Sequence, residues 1–308
     1  MPISRRAAIM AAAAAPFAPA ILRATPARGE APLQGAFIPQ FNRFMLGGFE
    51  VTTLLAGTRT VEALQGIFGM NVDAETFGAA SAANFIPTDK AQFFFTPTLV
   101  NTGTELVLFD TGLAPEGIVA PLAAAGITPD QIDTVVITHM HGDHIGGLMG
   151  EAGPTFANAR YVTGSVENNH WAAAADENYD KAVRPLAGMT TFVDDGGSVA
   201  SGITAMAAFG HSPGHMAYRL ESNGAQLVIA ADAANHYVWS LAYPDWEVKF
   251  DADKAAAAAT RRALFGMLAA DRVPFIGYHM PFPGMGYVET REDGFRYVPA
   301  SYQMMMAG

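Results

Sequence analysis

A chain of 308 residues with a formal net charge of −11 and no cysteine excludes several classes of function at the outset. The acidic balance argues against a nucleic-acid partner, which needs a basic face against the phosphates, and no basic run beyond the first residues would draw the chain to a membrane surface. The missing cysteines remove disulfides, thiolate ligands and cysteine nucleophiles together, while 50% hydrophobic and 15% charged residues provide for a sizeable core.

The chain begins "MPISRRAAIMAAAAAPFAPAILRA", with paired arginines ahead of a short alanine-rich apolar stretch and small residues suited to cleavage near Ala18-Pro19-Ala20. This pattern predicts an export signal over residues 1–24, of the twin-arginine type through Arg5-Arg6, and hence a periplasmic or secreted protein free of the membrane after cleavage. A single domain is expected over residues 40–308.

Strands are expected over Phe49–Gly57, Ala91–Gly103 and Glu105–Gly112, with Thr102-Gly103 as a tight hairpin turn between the last two. A helix should follow and end at Gly126, interrupted awkwardly by Pro121. Asp133–His144 reads as a buried apolar strand running into "THMHGDHIGG", where Gly146-Gly147 lets the chain pass close beneath and start a helix. "ARYVTG", "GITAMAAFG", "MAYRLES", "QLVIAAD" and "PFIGYHM" are further strand candidates, and Asp251–Asp271 is the best helix in the chain. Strands in runs with interspersed helices favour two sheets covered by helices.

The chemistry-bearing side chains gather at strand ends. His139, His141, Asp143, His144, Asp232 and His279 lie at or just beyond the ends of expected strands, and His215 sits in a glycine-flanked loop between two. His139 and His141 are two apart, so in extended chain they point the same way and could hold one ion; Asp143 and His144 follow on a turn and could face a second. Imidazole and carboxylate without thiolate suit Zn²⁺, Mn²⁺, Fe²⁺ or Co²⁺. Seven candidates without cysteine point to an open, catalytic, two-metal site rather than a closed structural one.

At these residues the chain resembles the metallo-β-lactamase superfamily. The match lies in "THMHGDH" for an H-x-H-x-D-H motif, "GHSPGH" (Gly210–His215), "AAD" (Ala230–Asp232) and "YHMPFPG" (Tyr278–Gly284), and it covers roughly residues 45–290. The resemblance implies an α/β protein, the αβ/βα four-layer sandwich, with the site at one edge between the sheets. It implies one metal on His139, His141 and His215, the other on Asp143, His144 and His279, and Asp232 bridging both. His211 then helps the fold of its loop without binding metal, and Asp110 of "LFDTG" stabilises a turn near the site.

Within the superfamily the chain looks most similar to the methyl parathion hydrolase-like and lactonase-like branch. That resemblance implies hydrolysis of a lactone, aryl ester or phosphotriester by metal-activated water. Asp143, bound at one end to metal, could then pass a proton to the leaving group, and Tyr237, close after Asp232, could donate to the substrate oxygen. The expected partner is a small ester, with a second copy of the chain, as a homodimer, the possible protein partner. An iron-dependent sulfur dioxygenase with a single metal is the alternative on the same motifs. His236 is a further candidate substrate donor, Trp239 and Phe282 candidate pocket walls, Phe93–Phe95 core, His170 a bystander, and Met304–Met306 a tail.

Overall fold

The architecture follows from two seven-stranded sheets, each with one apolar face toward the other and one toward helices. The computed structural model describes residues 32–33, 35–291 and 293–302; the expected signal and Met304–Met306 lie outside the described residues. The described residues from 39 onward form one compact unit, and none of those before it is in a helix or strand.

The first sheet and its surroundings are built from β1 (Phe41–Leu46), β2 (Phe49–Leu54), β3 (Gly57–Glu62), α1 (Ala74–Ala83), β4 (Lys90–Phe95), β5 (Thr98–Asn101), β6 (Leu106–Phe109), α2 (Pro115–Ala124), β7 (Thr134–Ile137), α3 (Gly142–Ile145), β8 (Met149–Gly150), β9 (Gly153–Pro154), β10 (Arg160–Gly164), α4 (Ser165–Ala174), α5 (Glu177–Ala182) and β11 (Thr190–Val193). The second half adds β12 (Ser198–Ala200), β13 (Ile203–Ala207), β14 (Met216–Ser222), β15 (Ala225–Ala231), α6 (Lys254–Asp271), β16 (Phe275–Gly277), β17 (Met285–Arg291) and β18 (Gly294–Pro299).

Sheet one runs β1-β2-β5-β6-β7-β10-β11, antiparallel up to β6 and parallel thereafter. Sheet two runs β12-β13-β14-β15-β16-β17-β18, with only β15 and β16 parallel. Val51, Val107, Val136 and Val162 of the first sheet meet Ile203, Tyr218, Leu220 and Ile229 of the second in a shared core. On the outer face of the first sheet Leu108 and Val135 pack under Ile118 and Leu122 of α2 and Tyr179 of α5. On the outer face of the second, Val228 and Phe275 pack under Leu264, Phe265 and Leu268 of α6. The result is the expected αβ/βα four-layer order, since strands buried on both faces must be apolar throughout.

Local departures have local causes. The expected strand Ala91–Gly103 splits at Thr96-Pro97 into β4 and β5, and β4 leaves sheet one to pair with β3 as a separate two-stranded ribbon. Helix α2 runs through Pro121, whose ring costs one intrahelical bond near the helix end, and Gly126 closes the segment at φ 83°. Helix α6 begins at Lys254, not Asp251, because Asp253 caps it by accepting from the Ala256 N–H at 3.0 Å. The turn of helix near Gly146-Gly147 precedes these glycines rather than following them. Their close approach is as expected: a Cβ at Gly147 would lie 2.2 Å from the Thr111 carbonyl oxygen. Among the described residues no helix is long and apolar enough to cross a membrane.

Candidate metal centre

The site is assembled where strands end. His139 follows β7, Asp232 follows β15, His279 follows β16 and Asp110 follows β6, all at carboxyl ends, where loops can converge on a rigid platform. Asp110 sits buried at φ +60° and fixes the start of the histidine motif, accepting from the Thr138 N–H and hydroxyl at 2.8 Å each. Its Oδ2 also takes the Nδ1 proton of His144 at 2.8 Å. The turn-stabilising part expected of Asp110 is thus accompanied by the orientation of a histidine.

Two triads of donor atoms result. In the first, His139 Nε2, His141 Nδ1 and His211 Nε2 form a triangle with sides of 3.0, 3.0 and 3.2 Å. In the second, Asp143 Oδ2 lies 3.7 Å from His144 Nε2 and 3.3 Å from His279 Nε2. Asp232 reaches both: its Oδ1 is 3.4 Å from His144 Nε2, and its Oδ2 is 3.3 Å from His211 Nε2 and 3.2 Å from His279 Nε2.

These atoms fit divalent cations. Nitrogen ligands about 2.0–2.1 Å from a tetrahedral ion lie roughly 3.3 Å from one another, close to the sides of the histidine triangle. The buried His144 Nε2 and Asp232 Oδ1 have no hydrogen-bond partner, an arrangement that is costly unless something else engages them. The far nitrogens are committed outward: His211 Nδ1 to Asp251 Oδ1 at 3.0 Å, and His279 Nδ1 to the Phe94 carbonyl at 2.8 Å. Because a carbonyl only accepts, His279 must donate from Nδ1, which turns the Nε2 lone pair inward when the ring is neutral.

The electrostatics of the polypeptide divide the histidines. Burial, reinforced by neighbouring His144, holds His139 well below the usual histidine range, and burial with His211 lowers His141 to about 4. Burial also opposes charge on His144 and His279, but Asp232 and its neighbours outweigh it, leaving His144 well above the usual range and His279 at about 10. Asp143 is lowered to about 2 against the effect of burial, chiefly by His144 and His279. Asp232 is held well below the carboxylate range, its burial overcome first by His279. Two ionised carboxylates thus face converging imidazoles in one pocket.

Two expectations are corrected here. His215 does not join the first triad; His211 does. His215 Nε2 accepts the Asp232 backbone N–H at 3.1 Å, so it braces the loop that carries Asp232. Both histidines lie in the one loop between β13 and β14, four residues apart, so the sequence carries no signal that separates them. Tyr237 likewise stays out of the pocket, packing half-buried against His236 with ring centroids 4.6 Å apart. The polar side chain that this segment gives to the pocket wall is Asn235, whose Nδ2 donates to Asp232 Oδ2 at 3.3 Å.

Other expectations resolve similarly. His236 stacks on Trp239 and accepts the Val238 and Trp239 N–H groups on Nδ1, a structural part. Trp239 is fully buried and neither it nor Phe282 lines the cavity; His170 is exposed. Phe93 and Phe95 are core as expected, yet they also wall the cavity, their rings 5.8 and 5.5 Å from His279. Sequence reasoning missed Glu167 and Asp251, two buried acids that touch the cluster's loops.

Both triads open onto a cavity of about 780 Å³, walled by Phe93, Phe95, Leu113 and Phe250 with Arg59 and Glu62 from the ribbon. An αββα sandwich with a histidine–aspartate cluster at the strand ends and an apolar cavity above it defines a class of proteins. The family model of the metallo-beta-lactamase superfamily matches residues 96–275, and the chain belongs to that superfamily.

Among solved structures, AidC, a dizinc quorum-quenching lactonase in complex with a product, is 24% identical with a TM-score of 0.77, covering 85% of this chain and 97% of that one. The hydrolase AbOPH of the beta-lactamase superfamily is 23% identical with a TM-score of 0.79, covering 86% and 99%. At these identities the likeness is one of fold. A ribonuclease Z of Pyrococcus furiosus is 45% identical over 49 residues, 16% of this chain and 15% of its own length. The anti-Pycsar protein Apyc1 of a Paenibacillus is 42% identical over 59 residues, 18% of this chain and 22% of its own. The chain therefore spans under a quarter of these curated relatives.

Proposed function

We propose that this chain is an exported hydrolase that holds two divalent metal ions and cleaves a small lactone, aryl ester or phosphotriester. The observation that carries the reading is the pair of donor triads, joined by Asp232 and open to one apolar cavity. The printed role of AidC supports a lactone, the acidic balance supports a small substrate over a nucleic acid, and Arg5-Arg6 supports export.

In this reading His139, His141 and His211 would hold one ion and Asp143, His144 and His279 the other, with Asp232 within reach of each set. Zn²⁺ is the ion proposed, and Mn²⁺, Fe²⁺ and Co²⁺ suit the same donors. Bound there, the ions would supply Lewis acidity toward a carbonyl or phosphoryl oxygen and a nucleophilic solvent at neutral pH. The polypeptide does the rest. Asp110, Asp251 and the Phe94 carbonyl hold three imidazoles in the tautomer that aims Nε2 inward. Phe93, Phe95, Leu113 and Phe250 exclude water from the substrate body. Asp143, with 23% of its side chain exposed against 4% for Asp232, faces the cavity and carries a proton toward the leaving group.

The deciding experiment is metal analysis of the purified protein together with turnover of a lactone, aryl-ester and organophosphate panel. Two metals per chain with hydrolysis of at least one class is the expected result. One iron per chain with oxygen uptake on a persulfide, or two metals and no turnover of any ester, sinks the proposal.

A further inference from the structure

The three-histidine triad draws on two segments far apart in sequence: His139 and His141 from the loop after β7, and His211 from the loop after β13. A triangle of nitrogens with sides near 3 Å requires that these loops be held in register. Among the described residues, one buried side chain bonds to both loops. Glu167, in the first turn of α4 and fully buried, accepts the Met140 N–H at 3.0 Å on Oε1, between the two histidines of the first loop. On Oε2 it accepts the Ser212 hydroxyl at 2.7 Å and the Gly214 N–H at 2.8 Å, directly after His211. Its fourth donor is the Trp171 indole N–H, at 2.7 Å to Oε1, one helical turn along α4.

The contact is built for close approach. A Cβ at Gly214 would lie 2.1 Å from the Glu167 backbone nitrogen, so only glycine lets the loop lie on the start of α4. A buried carboxylate is retained only where donors repay its desolvation, and here three of the four donors belong to the two loops.

We propose that Glu167 is a positioning residue that clamps the His139–His141 loop to the His211 loop and so pre-forms the three-histidine half of the centre. It rests on the metal reading above. The Asp143–His144–His279 half has its own supports in Asp110 and the Phe94 carbonyl, which Glu167 does not touch. The clamp therefore acts on one half and not on the other.

The test is titration of the metal-free full chain with Co²⁺, resolving two stepwise affinities, for wild type, Glu167→Gln and Ser212→Ala. Tyr161→Phe serves as the control for general loosening, since it deletes a buried hydrogen bond of 3.0 Å to the Phe156 carbonyl in the strand leading into α4. Loss of a supporting hydrogen bond around a metal ligand lowers affinity roughly 10–100-fold. The expected result is a fall of that size in one stepwise affinity for both clamp variants, with the other step and the control unchanged. Equal affinities in all chains, or an equal fall in both steps, overturns the clamp. If Glu167→Gln does not fold, Ser212→Ala alone decides, because it removes one bond and leaves the carboxylate in place. A wild-type chain that binds no Co²⁺ overturns the proposed function instead.

Discussion

His215 Nε2 accepts the backbone N–H of Asp232 at 3.1 Å, while His211, four residues earlier, directs its Nε2 into the donor triangle. The two histidines of one short loop therefore have separable consequences. His211→Ala should lose metal from the three-histidine half and lower kcat/KM by on the order of 10²-fold or more. His215→Ala should keep both metals and lose stability instead, about 1–3 kcal/mol, because the buried Asp232 N–H is left without its acceptor. Metal content and urea unfolding on the two variants separate these outcomes; metal loss in His215→Ala alone would reverse the assignment.

Asp110→Asn tests the orientation of His144. Asparagine tolerates the left-handed backbone at φ +60°, so the substitution isolates the side chain. One amide oxygen cannot replace two carboxylate oxygens that accept from the Thr138 N–H, the Thr138 hydroxyl and His144 Nδ1. Metal affinity should fall roughly 10–100-fold, read by competition with a chelator of known strength.

The fully buried Arg261 of α6 bonds Asp251 Oδ2 at 2.8 Å and the Pro244 carbonyl at 2.8 Å, and Asp251 in turn holds His211. Arg261→Met leaves Asp251 without its cation, and breaking a buried pair from one side costs about 3–5 kcal/mol. The double variant Arg261→Met, Asp251→Leu should recover part of that stability while metal binding at His211 stays impaired. Thermal unfolding without metal and titration with metal check the two halves of the statement.

Alkaline stability follows from buried tyrosines. Burial raises Tyr161 to about 12 and also pushes Tyr218 and Tyr297 upward. In the unfolded chain a tyrosine loses its proton near pH 10. Between that pH and the folded value the native state binds more protons, so stability is fully present below about pH 10 and is lost as pH rises toward 12. Denaturant midpoints measured across that window should fall, and Tyr161→Phe should make the slope shallower; an unchanged slope would refute this origin.

Leu113 and Phe250 line the cavity while remaining 43% and 41% exposed. Truncating either to alanine should leave stability nearly unchanged and raise KM several-fold at constant kcat, since about 25 cal/mol per Å² of apolar contact is lost equally in ground and transition states. A change confined to kcat would place these side chains closer to the reacting atoms than the cavity wall.

The parts of the fold and site that were legible in the sequence share one property: their pattern is set by burial on both faces. "TVVI" of β7 is apolar at every position because it is fully buried, so it announced itself and the histidines beyond it. Ribbon strand β3, "GTRTVE", is exposed at most positions and carries no alternation, and β17 and β18 follow the last of the sequence motifs. Helix α4, "SVENNHWAAA", buries Glu167 and otherwise looks like a polar surface segment, so the clamp was invisible. The choice between His211 and His215 turned on which nitrogen meets the Asp232 N–H, a contact between positions 17 apart that only the assembled sheets create.

The β3–β4 ribbon belongs to neither seven-stranded sheet, yet it contributes Arg59, Thr60, Val61, Glu62, Phe93 and Phe95 to the cavity wall. The ribbon's side chains thus shape the wall while supplying no donor atom to the triads, and its hydrogen-bonded tie to them is the Phe94 carbonyl that orients His279. Laboratory evolution confined to this ribbon, its inward phenylalanines beside His279 excepted, can redraw what the pocket accepts while the donor triads are inherited intact. Such an arrangement lets the accepted substrate change while the metal-holding side chains stay in place.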